Sequence, residues 1–177
     1  MTTAISGDIT DAGHRAALVA AAESTGSLDL VVNNASELGP NPLPRLADLA
    51  LVDLRRIHEV NVVAPLGLIQ ASLPLLTEVS GTVVNITSDA AIEPYEGWGG
   101  YGSSKAGLDQ LSRVLAAEHP ELRIWWIDPG DMRTDMHQAA FPGEDISDRP
   151  LSTAIAPSIL AIVAERPPSG RLRAEAR

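Results

Sequence analysis

The sequence predicts an α/β fold built on a parallel β-sheet with helices on both faces. Short apolar runs alternate with longer amphipathic stretches, which is the pattern of such folds. Three runs are apolar on both sides, as strands between two helical layers must be. The predicted strands are Leu28–Asn33, Thr82–Thr87 and Arg123–Asp128, with a weaker one over Thr3–Ser6. The 177 residues suit a single domain over 1–177.

Helical spacing of apolar residues fills the segments between these strands. The predicted helices are His14–Ser24, Leu51–Leu76, Tyr101–Glu118 and Thr153–Glu165. Segments Gly39–Pro44 and Phe141–Pro150 are predicted loops, and the second is long enough to form a substrate lid.

Composition argues against several classes of partner. Thirteen Lys and Arg against 23 Asp and Glu give a net charge of −10. Nucleic acids and anionic membrane surfaces both need clustered cations, so neither is expected as a partner. The absence of cysteine excludes disulfides and thiolate metal sites and fits a cytoplasmic location. The four histidines show no metal-ligand spacing, and no apolar run approaches the roughly 18 residues of a membrane span.

A tyrosine and a lysine four residues apart give the strongest chemical signal. Tyr101 and Lys105 open the third predicted helix and share one of its faces. A free tyrosine has a pKa of about 10, and a neighbouring ammonium lowers that pKa by favouring the phenolate. A shift of about three units needs roughly 4 kcal/mol, more than one solvated lysine supplies. We therefore expect a second positive group beside Tyr101.

Further polar residues follow the carboxyl ends of strands, where open α/β sheets bind ligands. Ser88 comes just after the Thr82–Thr87 strand, where its hydroxyl can donate to a substrate oxygen while Tyr101 exchanges the proton. Asn61 precedes Pro65 by four residues inside the long predicted helix. Because proline has no N–H, the carbonyl of Asn61 is free to hold a water; a simple proline kink is the alternative.

These motifs resemble the short-chain dehydrogenases/reductases, which are NAD(P)-dependent oxidoreductases with a doubly wound, Rossmann-like fold. The resemblance also rests on Asn33-Asn34-Ala35-Ser36 and on Asp128-Pro129-Gly130, each at the end of a predicted strand. It implies reversible hydride transfer between NAD or NADP and a small carbonyl or alcohol substrate.

The resemblance also implies a role for each candidate residue. Tyr101 would be the general acid/base, Ser88 would orient the substrate oxygen, and Lys105 would lower the Tyr101 pKa and bind the nicotinamide ribose. Asn61 would complete a tetrad by holding a relay water. The implied cofactor-binding residues are Asp8, Ile9, Asn33, Ala35, Ser36, Tyr101, Lys105, Pro129, Gly130 and Thr134. Small residues on the Tyr101–Glu118 helix fit a homodimer or homotetramer.

The sequence departs from the family at its start. A strand, a glycine-rich turn, a helix and a second strand precede the element matched to Thr3–Ser6 in the family, and we find none of them here. The expected sheet is therefore truncated at its N-terminal side, which leaves the apolar edge of Leu28–Asn33 unpaired. One hypothesis is that Met1 is an internal start. Another is that Thr3–Ser6 moves over to pair with Leu28–Asn33.

The segment Gly97–Gly102 matches the text of a G-x-G-x-x-G phosphate motif. Glu93–Glu96 separates it from the preceding strand, so it does not form a strand-to-helix turn, and we interpret it as a substrate loop. Apolar residues near this loop suggest one wall of a substrate site: Tyr95, Trp98, Met132 and Phe141.

Two other interpretations stay open at this level. One is a truncated, non-catalytic chain that keeps these residues as relics and acts through its dimer helices. The other is an epimerase or dehydratase with the same Tyr-x-x-x-Lys pair. The sequence reveals neither the substrate nor a preference between NAD and NADP. After Gly170 the family's last strand is predicted to be short or missing.

Overall fold

The computed structural model describes residues 2–175, and at its centre lies a parallel sheet. Its four strands stand in the order β1-β2-β3-β4. They are Leu30–Asn33 (β1), Thr82–Ile86 (β2), Arg123–Asp128 (β3) and Gly170–Arg173 (β4). Since all four run in the same direction, their carboxyl ends meet at one edge. The predicted parallel α/β fold is confirmed.

Helices cover both faces of this sheet. They are Ala12–Glu23 (α1), Leu51–His58 (α2), Ala64–Glu78 (α3), Gly99–Glu118 (α4), Asp135–Ala140 (α5) and Ser152–Glu165 (α6). The four predicted helices are present with ends shifted by a few residues. The sequence did not predict α5, because six residues are too few to show helical periodicity.

Two apolar clusters hold the layers together. On one face, Val83 and Ile124 of the sheet are fully buried with Leu76 of α3 and Leu122. On the other face, the fully buried Trp125 packs in a cluster with Ile155 of α6. Covering both faces explains why the strands read as continuous apolar runs.

The long predicted helix over Leu51–Leu76 is interrupted by a π-helical turn over Glu59–Val63. In this turn the N–H of Ala64 donates to the carbonyl of Glu59, five residues back. The lengthened turn comes directly before Pro65, which has no N–H to donate. The segment before Pro65 is therefore a π-helical turn, which differs from the simple proline kink that was the alternative interpretation.

The helical segment from Leu51 to Glu78, which joins α2, the π-helical turn and α3, is long and apolar enough to cross a membrane. No such segment was predicted from the sequence. A core helix of a globular domain passes the same test. Ile57, Ile69 and Leu76 of this helix are at most 1% exposed inside the domain.

The structure corrects one strand prediction. Thr3–Ser6 is exposed and irregular, so it neither forms a strand nor moves over to pair with β1. Within residues 2–175, β1 pairs with β2 alone and is an edge strand, as predicted, with Val32 47% exposed. A strand needs a hydrogen-bonded neighbour, and Thr3–Ser6 has none. β4 is short, as predicted, whereas Met1 lies outside the described residues.

Glycines let α4 approach the end of β2 closely. A Cβ atom at Gly102 would lie 2.6 Å from the carbonyl oxygen of Ala90, and one at Gly99 would lie 2.8 Å from Leu46 Cδ1. A short 3₁₀ turn, Asp89–Ala91, and a loop separate α4 from β2. The glycines of the G-x-G-x-x-G segment therefore serve packing, and the segment is not a strand-to-helix turn.

Replacing Gly102 by Ala should destabilise the protein by about 1–2 kcal/mol, because the new methyl group collides with backbone and outweighs the gain in helix propensity. Gly107→Ala is the matched control on α4, since its Cβ would meet Val62 at an ordinary 3.6 Å. That variant should gain about 0.5–1 kcal/mol. Urea denaturation measures both, and equal free energies of unfolding would contradict the close approach.

Candidate active site

A cavity of about 670 Å³ opens at the carboxyl ends of β2 and β3. Ser88, Tyr101 and Lys105 all line it, although they come from a strand end and from the first turns of α4. Binding sites of open α/β sheets lie at this edge. The structure thus brings together three of the four residues that sequence analysis proposed as catalytic.

Ser88 is fixed by the turn that follows β2. Its hydroxyl accepts a hydrogen bond from the N–H of Ala90 at 3.2 Å and donates one to Asp89 Oδ1 at 3.0 Å. Ser88 is also the N-cap of the 3₁₀ turn Asp89–Ala91. This local capping holds the side chain at the rim of the sheet, beside the cavity.

Tyr101 is 9% exposed at the start of α4. Burial raises the pKa of its phenol to about 12, and the nearby hydroxyls of Ser36 and Ser88 lower it by less. The net pKa is therefore raised, and the lowering of this pKa by Lys105 together with a second positive group stays a prediction. Desolvation of the phenolate outweighs the favourable contacts.

Lys105 lies beside the tyrosine ring, 5.4 Å from its centre, and donates to the carbonyl oxygen of Ile86 at 2.8 Å. It is 2% exposed. Burial lowers the pKa of its ammonium to about 8, against an opposing effect from the carboxylate of Asp109. The same burial therefore lowers the pKa of Lys105 and raises that of Tyr101, and both groups stay mostly protonated at neutral pH.

Asn61 does not line the cavity; its side chain instead holds neighbouring segments in place through hydrogen bonds. Its side-chain oxygen accepts from the N–H of Glu37 at 2.7 Å and from the Ser36 hydroxyl at 3.2 Å. Its side-chain nitrogen donates to the Glu37 carbonyl at 2.8 Å and to the Ser104 hydroxyl at 2.9 Å. The side chain joins the turn after β1 to α4, and a water on its backbone carbonyl stays a prediction.

The predicted cofactor-binding residues divide between two cavities. Ser36, Pro129, Gly130 and Thr134 line the large cavity with Tyr101 and Lys105. Ile9, Asn33 and Ala35 line a smaller cavity of about 140 Å³ beside β1. Asp8 lines neither cavity. Its carboxylate accepts hydrogen bonds from Thr10 and lies 3.4 Å from Arg56.

A buried network lies behind Ser88 and was not predicted from the sequence. Arg171 of β4 donates to Asp109 Oδ2 at 3.2 Å and to the carbonyl oxygen of Ser88 at 3.0 Å. It also lies 3.5 Å from Asp128 Oδ2, and the hydroxyl of Thr87 donates to Asp109. The spacing of Lys105 and Asp109 on one helix face could have pointed to Asp109. The partner Arg171 comes from a distant strand that only the fold brings near.

A protein family also matches most of this chain by sequence. The sequence model described as short chain dehydrogenase matches residues 1–145. The chain belongs to this family. The resemblance seen in the motifs and the Rossmann-like fold are thereby confirmed.

Curated relatives of this short-chain dehydrogenase include three enzymes at moderate identity. An uncharacterized oxidoreductase of Schizosaccharomyces pombe is 30% identical over 132 residues, covering 75% of this chain and 52% of the relative. Sepiapterin reductase of Mus musculus is 38% identical over 114 residues (63% and 44%). Benzil reductase of Bacillus subtilis is 41% identical over 112 residues (60% and 45%). The chain spans about half the length of the curated relatives it matches.

Solved structures of the family agree with the fold of this short-chain dehydrogenase. One from Pseudomonas syringae superposes with a TM-score of 0.88 at 29% identity, covering 99% of this chain and 72% of that chain. One from Escherichia coli, solved with NADPH, gives a TM-score of 0.88 at 29% identity, covering 98% and 74%. One from Shigella flexneri, solved with NADP, gives 0.85 at 28% identity, covering 93% and 70%.

The lowered pKa of Lys105 predicts a pH-dependent stability. The folded pKa of about 8 lies below the ordinary 10.5, so between these values the unfolded chain binds the proton more tightly. The free energy of unfolding therefore rises with pH in this window, by at most about 1.4 kcal/mol per unit.

Lys105→Met removes this dependence. The free energy of unfolding of the wild type minus that of the variant should increase from pH 8 to pH 10, as measured by urea denaturation. Parallel curves would contradict a lysine pKa depressed by burial.

Arg171→Met should cost about 3 kcal/mol of stability, because it leaves the buried carboxylates of Asp109 and Asp128 without their cation. Arg173→Met is the matched control two residues along β4. Its side chain is 63% exposed and 3.9 Å from Glu175, so its loss should cost under about 0.5 kcal/mol. Thermal and urea unfolding compare the two, and equal losses would show that the network contributes little.

Proposed function

We propose that this short-chain dehydrogenase transfers hydride between a nicotinamide cofactor and a small carbonyl or alcohol substrate. The observation that carries the proposal is the meeting of Ser88, Tyr101 and Lys105 in one cavity at the carboxyl edge of the sheet. Two similar proteins, sepiapterin reductase and benzil reductase, are reductases by name.

Tyr101 serves best as a general acid in carbonyl reduction. With its pKa raised to about 12, the phenol is protonated at neutral pH and has a proton to give. The Ser88 hydroxyl has a single O–H, which donates to Asp89 Oδ1 in this structure and would turn to donate to the substrate carbonyl oxygen and orient it. Tyr101 passes its proton to this oxygen as the carbonyl carbon receives hydride, so the product is an alcohol. In the reverse direction the phenolate accepts the proton from the alcohol.

The residues around Tyr101 fit the nicotinamide–ribose end of NAD(P). The Lys105 ammonium has three N–H donors, and its one hydrogen bond within residues 2–175, to Ile86, leaves two for ribose hydroxyls. Pro129, Gly130 and Thr134 line the same cavity and would contact the nicotinamide carboxamide. When bound, the cofactor supplies or accepts the hydride, and its oxidised ring adds positive charge.

Within residues 2–175, no helix follows a strand directly through a glycine-rich turn, the arrangement that would place the pyrophosphate at a helix N-terminus. Among the similar solved structures, one is with NADP and one with NADPH. We propose NADP or NAD as the cofactor, with Asn61 as a positioning residue that holds the turn after β1.

The homodimer or homotetramer and the cytoplasmic location stay predictions. Val63 and Val114 are 48% and 40% exposed, on the Asn61 segment and on α4, and their exposure supports a helix-mediated dimer. Gly102 and Ser104, two of the small residues on α4 that favoured a dimer, are buried inside the chain, so they do not contribute to such an interface.

Tyr101→Phe should lower kcat for NADPH-dependent carbonyl reduction by about 10²–10⁴, because the general acid is lost while the ring is kept. Cofactor binding, followed by NADPH fluorescence, should change little. Ser103→Ala is the control, since this exposed hydroxyl on α4 bonds to the Gly100 carbonyl away from the cavity.

Unchanged turnover in Tyr101→Phe would contradict the assigned acid. A wild-type chain that binds neither NADPH nor NADH would instead favour the non-catalytic relic. Turnover of a substrate with no net oxidation or reduction would favour the epimerase or dehydratase interpretation.

A further inference from the structure

One wall of the large cavity is built from aromatic rings. The ring of Trp98 lies 5.7 Å from that of Tyr101, at 74° to it, and 5.9 Å from that of Phe141. His137 lies 4.9 Å from Phe141, and Tyr95 lies 6.4 Å from Trp98. These distances are those of edge-to-face and tilted pairs, so the rings form a connected surface.

A substrate whose carbonyl oxygen lies at Ser88 would direct the rest of its structure towards this wall. All five rings line the cavity that Ser88 lines. The volume of about 670 Å³ is shared with the nicotinamide end of the cofactor and leaves room for a small ligand of one or two rings. Met132 and Met136 also line the cavity, and thioethers pack well against aromatic groups. The surface is therefore suited to a flat, apolar, polarisable ligand.

Asp89 places an unneutralised carboxylate next to the candidate reaction centre. One oxygen accepts from the Ser88 hydroxyl and the other from the Tyr95 hydroxyl, each at 3.0 Å. Asp128 and Asp131 face arginines, whereas no Lys, Arg or His of residues 2–175 forms an ion pair with Asp89. A negatively charged ligand at Ser88 would meet this carboxylate at close range, which is unfavourable.

We propose that the substrates are aromatic carbonyl compounds without a carboxylate, with Trp98 and Phe141 contacting the ring and Asp89 excluding anions. This inference rests on the proposed function, because it assigns the substrate class of the same cavity.

Three ketones test the ring and the charge separately. Acetophenone is the reference, cyclohexyl methyl ketone replaces the aromatic ring by a saturated one, and 4-acetylbenzoate adds a carboxylate. We expect kcat/KM for acetophenone to exceed that of the saturated ketone by roughly threefold to tenfold. It should exceed that of 4-acetylbenzoate by about tenfold or more.

Matched variants assign these preferences to residues. Phe141→Leu should remove most of the preference for acetophenone over cyclohexyl methyl ketone, and Phe141→Tyr should keep it. Asp89→Asn keeps an acceptor for Ser88 and should raise kcat/KM for 4-acetylbenzoate several-fold relative to acetophenone. Glu93→Gln, at an exposed carboxylate outside the cavity, should leave that ratio unchanged.

Saturation-transfer NMR of ligand binding supplies a readout that does not need turnover. Binding of acetophenone in preference to the other two ketones, without reduction of any, would support the substrate class and overturn hydride transfer by this chain. Equal kcat/KM for all three ketones would overturn the substrate class and leave hydride transfer standing. Preferences that persist in Phe141→Leu and Asp89→Asn would overturn the assignment to these residues.

Discussion

The packing of α4 against the end of β2 is the constraint on which the site depends. Gly102 lets the helix backbone approach Ala90, and the Lys105 ammonium is anchored on the Ile86 carbonyl at 2.8 Å. A helix held this close places its first turns over the strand end. Tyr101 and Ser88, which belong to different elements, consequently line one cavity.

Burial sets the protonation of the groups brought together there. It moves the pKa of Tyr101 up to about 12 and that of Lys105 down to about 8, because both charged forms lose hydration. Asp109, whose own pKa is raised by burial, is held by Thr87 and Arg171. The cavity therefore presents a protonated phenol at neutral pH.

The two cavities beside the sheet differ in size and in their surroundings. At the carboxyl ends of β2 and β3, the large cavity is lined in part by the buried side chains of Tyr101, Lys105 and Asp128. Beside β1, the small cavity adjoins an unpaired strand edge where Val32 is 47% exposed. The chain spans about half the length of the curated relatives it matches.

The sequence alone determined three of the four strands, four of the helices and the pairing of Tyr101 with Lys105, because periodicity and i, i+4 spacing are local properties. It also carried the family resemblance. Only the tertiary structure showed that Thr3–Ser6 lacks a partner strand, that burial raises the Tyr101 pKa, and that Arg171 holds Ser88 from 83 residues away. These features depend on which distant segments exclude water from one another, and no local pattern encodes that.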